Sequence, residues 1–98
     1  MEKREIESQL NTREAKELYK VLASIDNSEE MAKFLRALFT IAEIQESIRR
    51  FQVVKLLSQG STFRSISKQT EMSTTTLARI NYWLHHGTGG YRKALQKV

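Results

Sequence analysis

Residues 62–84, Thr-Phe-Arg-Ser-Ile-Ser-Lys-Gln-Thr-Glu-Met-Ser-Thr-Thr-Thr-Leu-Ala-Arg-Ile-Asn-Tyr-Trp-Leu, decide how this chain is read. Their core-facing positions, Ile66, Thr70, Met72, Leu77 and Ile80, fit a short helix packed across a tight turn against a second helix. Ser73 stands where a hydroxyl caps the second helix. The pattern predicts a helix-turn-helix, whose second helix lies in the DNA major groove and offers its first turns to base edges. Ser73, Thr74, Thr75, Ala78, Arg79 and Tyr82 would then face DNA, and Arg64 on the preceding helix would reach a guanine or a phosphate. Short hydroxyls, a small methyl, a guanidinium and a phenol all suit a groove floor. The competing reading is two ordinary packed helices.

Charge favours the first reading. The chain carries 16 Lys and Arg against 11 Asp and Glu, a net of +5. Residues 1–46 hold 7 basic and 10 acidic side chains, whereas residues 47–98 hold 9 basic side chains against Glu71 alone. The basic excess therefore surrounds the proposed helix-turn-helix. A polyphosphate rewards that arrangement, because each neutralised phosphate releases condensed counterions. A solvated surface usually mixes both signs. An anionic membrane is the poorer partner, since the cations are spread over several helices and do not form one amphipathic face.

Length and composition set the remaining bounds. Ninety-eight residues make one domain near the small end of what buries a core. Proline is absent, and no stretch alternates apolar and polar residues as a strand would, so the class is all-α. The absence of cysteine excludes disulfides, thiolate nucleophiles and Cys-ligated metal, and fits a cytoplasmic protein. The first residues are charged, without the apolar core of a signal peptide, and no apolar run reaches membrane-spanning length.

Capping signals divide the chain. Residues 1–10 are polar and read as loose. Asn11 with Glu14 has capping-box spacing, and Ala15, Leu18, Tyr19 and Leu22 repeat at helical intervals, predicting a helix over 12–25. Asn27 with Glu30 opens a second, whose stripe is Met31, Phe34, Leu35, Leu38 and Phe39. Thr40 with Glu43 opens a long helix through Ile44, Ile48, Phe51, Val54 and Leu57, stopped near Gly60. Ser61 or Thr62 caps the fourth helix, to Thr70, and Ser73 the fifth, to His86. Gly87-Thr88-Gly89-Gly90 then breaks the chain before a short sixth helix from Tyr91.

The first two helices offer more apolar surface than a small helix-turn-helix covers alone, and patches of that size usually become interfaces. A two-fold homodimer is the simplest outcome, because it sets two reading heads about one helical turn of DNA apart. The alternative is a monomer in which the first helix folds back over the second.

This order of helices, with Leu56-Leu57 closing the long one and Thr-Leu-Ala-Arg at 76–79, resembles the Trp repressor superfamily. The ending Arg-Ile-Asn-Tyr-Trp-Leu-His-His-Gly-Thr-Gly-Gly-Tyr, residues 79–91, is similar to its YerC/YecD-like branch. The likeness is densest from Phe39 to Tyr91. It implies a six-helix, intertwined homodimer that binds operator DNA as a transcriptional repressor, with residues 1–39 as dimerisation helices. Residues 40–60 would be the central helix, 61–86 the helix-turn-helix and 87–98 the C-terminal helix. It also implies a corepressor pocket in which two arginines hold an amino acid, and ungapped alignment puts Arg49 and Arg79 there. A glycine and a serine of that pocket are Ile80 and Trp83 in this chain. Both replacements fill space an indole ring needs, so tryptophan is a poor fit, Trp83 itself would occupy the pocket, and a small-molecule effector is left open. Glu71 stands where the turn often carries a left-handed glycine.

Other chemistry is weak in the sequence. His85 and His86 are adjacent and point about 100° apart on a helix, so they do not chelate one metal as an i, i+4 pair does. Neither a Ser-His-acid arrangement nor a working pair of carboxylates can be argued from spacing; Glu14, Glu17, Glu29 and Glu30 complement helix starts. Gly87–Gly90 lacks the Lys-Ser/Thr of a P-loop. No enzyme, metal or cofactor is expected. The alternative function is a basic helical module that binds RNA or an acidic protein.

Overall fold

The computed structural model describes residues 7–98 and places seven helices, and no strand, among them. Residues 7–9 belong to α1, followed by α2 (Arg13–Ser24), α3 (Ser28–Leu38), α4 (Ile41–Ser58), α5 (Phe63–Thr70), α6 (Thr74–His86) and α7 (Gly90–Leu95). The all-helical class expected from the sequence is present, but six helices is a correction to seven. Residues 1–6 lie outside the described residues, and residues 7–9 of the segment read as loose are helical. Leu10 N donates to Glu7 O (3.1 Å) and Asn11 N to Ser8 O (3.2 Å), closing that turn. The Tyr19 hydroxyl then donates to Leu10 O at 2.6 Å, a tertiary bond that no local pattern announces.

The next cap differs from the expected one. Asn11 is engaged by its backbone, and Thr12 caps α2 one residue later, its Oγ1 accepting from Ala15 N at 3.1 Å. Asn27 caps α3 as its spacing predicts, with Oδ1 accepting from both Glu29 N and Glu30 N. Such caps satisfy N–H groups that have no partner inside the helix.

The chain forms two compact units, one ending at Thr40 and the other spanning Ile41–Val98. In the first, α2 and α3 are strongly amphipathic yet contain no buried residue. Leu18, Leu22, Phe34 and Leu35 are half-buried, while Tyr19, Leu38 and Phe39 are exposed.

The second unit owns the core. Val53, Val54, Ile66, Met72, Leu77, Ile80 and Leu84 are buried together, with Leu56, Leu57, Phe63, Tyr91 and Leu95 packed around them. α4 is covered on two sides, by α5 and by α6, so it buries neighbouring residues and not a single stripe. That explains Val53, absent from the predicted stripe, and corrects Ile48, which the stripe includes and which is 58% exposed. Gly60 ends α4 at φ 86°, in the left-handed region that glycine enters without a Cβ clash. There Ser61 N donates to Leu56 O and Gly60 N to Leu57 O, the closing bonds of a helix C-terminus.

Candidate nucleic-acid interface

Helices α5 and α6 are joined by the three residues 71–73, and the hydroxyls of Ser67, Thr70 and Ser73 hold that corner. Thr62 caps α5, its Oγ1 accepting from Ser65 N at 3.1 Å. At the far end Thr70 Oγ1 donates to Ile66 O (2.7 Å) and accepts from Met72 N (3.3 Å). Ser67 Oγ donates to Met72 O at 2.7 Å, tying α5 to the residue that begins the return. Met72 and Ile66 are buried beneath these bonds.

Glu71 makes the corner itself. Its φ is 63° and ψ 9°, the left-handed conformation, and its N–H donates to Ser67 O at 2.8 Å. A side chain there brings Cβ close to the carbonyl oxygen, at a cost of roughly 1 kcal/mol. Replacing Glu71 by Gly is therefore expected to stabilise the protein by about 1 kcal/mol, or several degrees in Tm for a domain of this size. Thermal unfolding followed by circular dichroism checks this; an unchanged or lower Tm counts against strain at Glu71.

Ser73 caps α6, accepting from Thr76 N at 3.1 Å while its own hydroxyl donates to Thr76 Oγ1 at 3.0 Å. The helical period then sorts the side chains. Leu77, Ile80 and Leu84 turn into the core, and Thr74, Thr75, Ala78, Arg79 and Tyr82 are exposed. Of the residues predicted to face DNA, all of α6's share one exposed side, and Ser73 is spent on the cap. Arg64 is exposed in the first turn of α5.

The end of α6 is fixed from outside. Arg92 of α7 donates through Nε to Leu84 O at 3.1 Å, and a terminal nitrogen approaches His85 Nδ1 at 3.5 Å. This serves a carbonyl without a partner inside the helix. Tyr82 and His86 lie ring against ring at 5.0 Å. Among the described residues no group of three or more His, Cys, Asp or Glu is placed to hold a metal, and no helix is long and apolar enough to cross a membrane.

The residues read as a ligand pocket are divided. Arg79, Ile80 and Trp83 line one cleft, but the arginine they share it with is Arg50, not Arg49. Adjacent residues on a helix point about 100° apart. Both arginines face Glu46, Arg49 at 3.6 Å and Arg50 at 3.3 Å, so the cleft and not the ion pair tells them apart. Trp83 does not plug the space: its side chain is half-exposed and forms a wall. Arg50 and Tyr91 are the residues the sequence reading missed. Both stood in view, one in the basic half and one in the Gly87–Tyr91 motif, yet neither showed what it would face.

Comparison with known proteins agrees with this architecture. The family model described as Trp repressor protein matches residues 13–98. YerC of Bacillus subtilis (strain 168) is 34% identical over 89 residues, covering 91% of this chain and 86% of YerC. A TrpR-like protein from Eubacterium eligens ATCC 27750 has a crystal structure that superposes with a TM-score of 0.84 at 30% identity, covering 92% of this chain and 93% of that one. A second crystal structure, from Staphylococcus aureus, gives a TM-score of 0.83 at 31% identity, covering 92% and 90%.

Proposed function

The chain belongs to the Trp repressor family, whose members are DNA-binding regulators and not enzymes, and from that premise we propose a homodimeric transcriptional repressor that reads operator DNA in a sequence-specific manner. α5, the turn 71–73 and α6 act as its helix-turn-helix, and α2 and α3 pair with those of a second copy. Both units serve one DNA-binding domain, in the cytoplasm. The observation that carries this reading is the sorting of α6: every core-facing position is filled by a buried aliphatic residue, and the opposite face holds Thr74, Thr75, Ala78, Arg79 and Tyr82. Ser73 caps this helix, so its N-terminal turn is well formed at the end that enters a major groove.

The test begins with genomic fragments recovered on the purified protein, sequenced to define an operator. Binding of that duplex, a scrambled duplex and an RNA of equal length is then compared at one salt concentration. Thr75→Ala and Arg79→Ala are expected to lower discrimination between operator and scrambled DNA by about tenfold to 100-fold, the value of a lost base contact. Folding should be unchanged, because both side chains face solvent. A uniform loss on all sequences would instead assign the residue to phosphate. Unchanged preference and affinity in both variants removes α6 as the reader, and equal binding of RNA favours the alternative module.

A further inference from the structure

A guanidinium and three rings run in sequence from α7 across the end of α6 to its DNA-facing side. Arg92 of α7 is fixed through its Nε on Leu84 O at 3.1 Å, and its Nη2 approaches His85 Nδ1 at 3.5 Å. The His85 ring meets His86 edge-on, with centroids 6.5 Å apart and planes at 60°. His86 in turn lies against Tyr82, with centroids 5.0 Å apart and planes tilted by 38°. Tyr82 and His86 stand four residues apart, the spacing that stacks side chains on one side of a helix. All three rings are exposed and none belongs to the buried core, so core packing does not account for the row.

The row ends in a phenol. Tyr82 is 60% exposed, and its hydroxyl makes no hydrogen bond among the described residues. An exposed tyrosine ordinarily turns about two side-chain torsions. Here the imidazole closes one side of the ring, and an aromatic pair at this separation attracts beyond the area it covers. A ring already held loses less freedom when it meets a partner. One O–H donor is thus offered in a restricted place, on the side that also carries Thr75, Ala78 and Arg79.

Distance along the helix decides what that donor meets. Tyr82 comes eight residues after Thr74, which is about 12 Å at 1.5 Å per residue. The major groove is only about 8.5 Å deep. When the N-terminal turn of α6 rests on base edges, Tyr82 therefore stands at the rim, beside the phosphates. His86 lies one turn farther out. A phenol at the rim donates to a phosphate oxygen, an acceptor whose charge strengthens the bond.

We propose that Tyr82 contacts a backbone phosphate of the bound duplex and that His86 is the positioning residue that holds its ring for this contact. The assignment rests on the DNA-binding reading. It moves Tyr82 from the residues that read bases to those that fix the register of the protein on DNA.

The ring contact is measured first, by NMR of the full-length protein without DNA. Cross-relaxation is expected between the Tyr82 and His86 ring protons, and the Tyr82 ring signals should move in His86→Ala. Rings that show no contact overturn the positioning role. Duplex binding is then compared for variants with native circular dichroism. Tyr82→Phe should weaken operator and scrambled duplex alike, by at least about tenfold, the value of a hydrogen bond to a charged acceptor. Its salt slope should match the native one, because a neutral hydroxyl displaces no condensed counterion. A changed ratio between operator and scrambled duplex, an unchanged affinity or a flattened slope overturns the phosphate contact. His86→Ala should weaken both duplexes by about two- to tenfold, the value of one side chain ordered in advance. His86→Phe keeps a ring and should restore the affinity. Adding His86→Ala to Tyr82→Phe should cost nothing further, since the two act through one contact. Failure of His86→Phe to rescue, or fully additive losses, overturns the positioning role. A native chain that binds no duplex removes the DNA-binding reading and the phosphate contact with it, whereas the NMR result judges the seating of the ring separately.

Discussion

Raising the salt concentration from about 50 to about 200 mM is expected to weaken duplex DNA binding by about 10³-fold, the loss produced by roughly six neutralised phosphates. The estimate follows from which cations are available. Arg49 and Arg50 face Glu46, and Arg92 is occupied with Leu84 O and His85. The side chains of Arg64, Lys68, Arg79, Lys93 and Lys97 are exposed and make no hydrogen bond or ion pair among the described residues. Three phosphate contacts drawn from these in each chain give about six in a dimer, and log affinity falls by about 0.9 for each per tenfold rise in salt. Fluorescence anisotropy of a labelled duplex, repeated across salt concentrations, yields that slope. Arg64→Gln and Lys68→Gln should each flatten it by about two in the dimer, one per chain, whatever the DNA sequence. An affinity indifferent to salt would leave the basic half of the chain without its explanation.

The corner between α5 and α6 was readable in the sequence because its determinants are local. Thr62 and Ser73 precede their helices at capping distance, and Leu77 and Ile80 stand at the i, i+3 spacing that a helix puts on one side, facing Ile66 and Met72 across the turn. Even the left-handed residue was legible at Glu71, since the resemblance marked that position as the bend. What escaped depends on partners distant in sequence. Val53 is buried because α4 meets two helices, and period alone predicts one stripe. The cap of α2 is Thr12, one residue beyond the Asn11 that the spacing to Glu14 favoured, where the chain leaves the turn closed by Asn11 N on Ser8 O.

The cleft beside Arg79 was the least legible feature. Arg49 and Arg50 are adjacent, chemically identical and both near Glu46. Only the rotation of α4 against α6 decides which one shares a cleft with Arg79, and a pairwise alignment carries no such information. Trp83 misled for a related reason. Its volume says that it fills space, but its seat against Gly87 says where, and that seat is a backbone approach that glycine alone permits.

Replacing Phe34 by Asp is expected to abolish the dimer, and with it DNA binding. α2 and α3 present an apolar stripe of Leu18, Leu22, Phe34, Leu35 and Leu38, yet none of these is buried within one chain. Fixing a residue's backbone costs about 1–2 kcal/mol, and helices this short are marginal in water without packing. The stripe must therefore be covered for α2 and α3 to persist, and in the proposed dimer a second copy covers it. Truncating a buried Phe typically costs about 3–5 kcal/mol, and an unpaired carboxylate in its place adds desolvation on top. A loss of that size exceeds much of the stability of a small domain, about 5–15 kcal/mol. Light scattering coupled to gel filtration should find dimers for the native chain and monomers or unfolded chains for Phe34→Asp and Leu38→Asp. Arg36→Glu, on an exposed basic residue of the same helix, is the control and should remain dimeric. The native Tm should also rise with protein concentration, as mass action requires of a folded dimer that melts to separate chains. A Phe34→Asp protein that stays folded, keeps its assembly state and binds DNA normally would show that this face is covered by something other than its own copy.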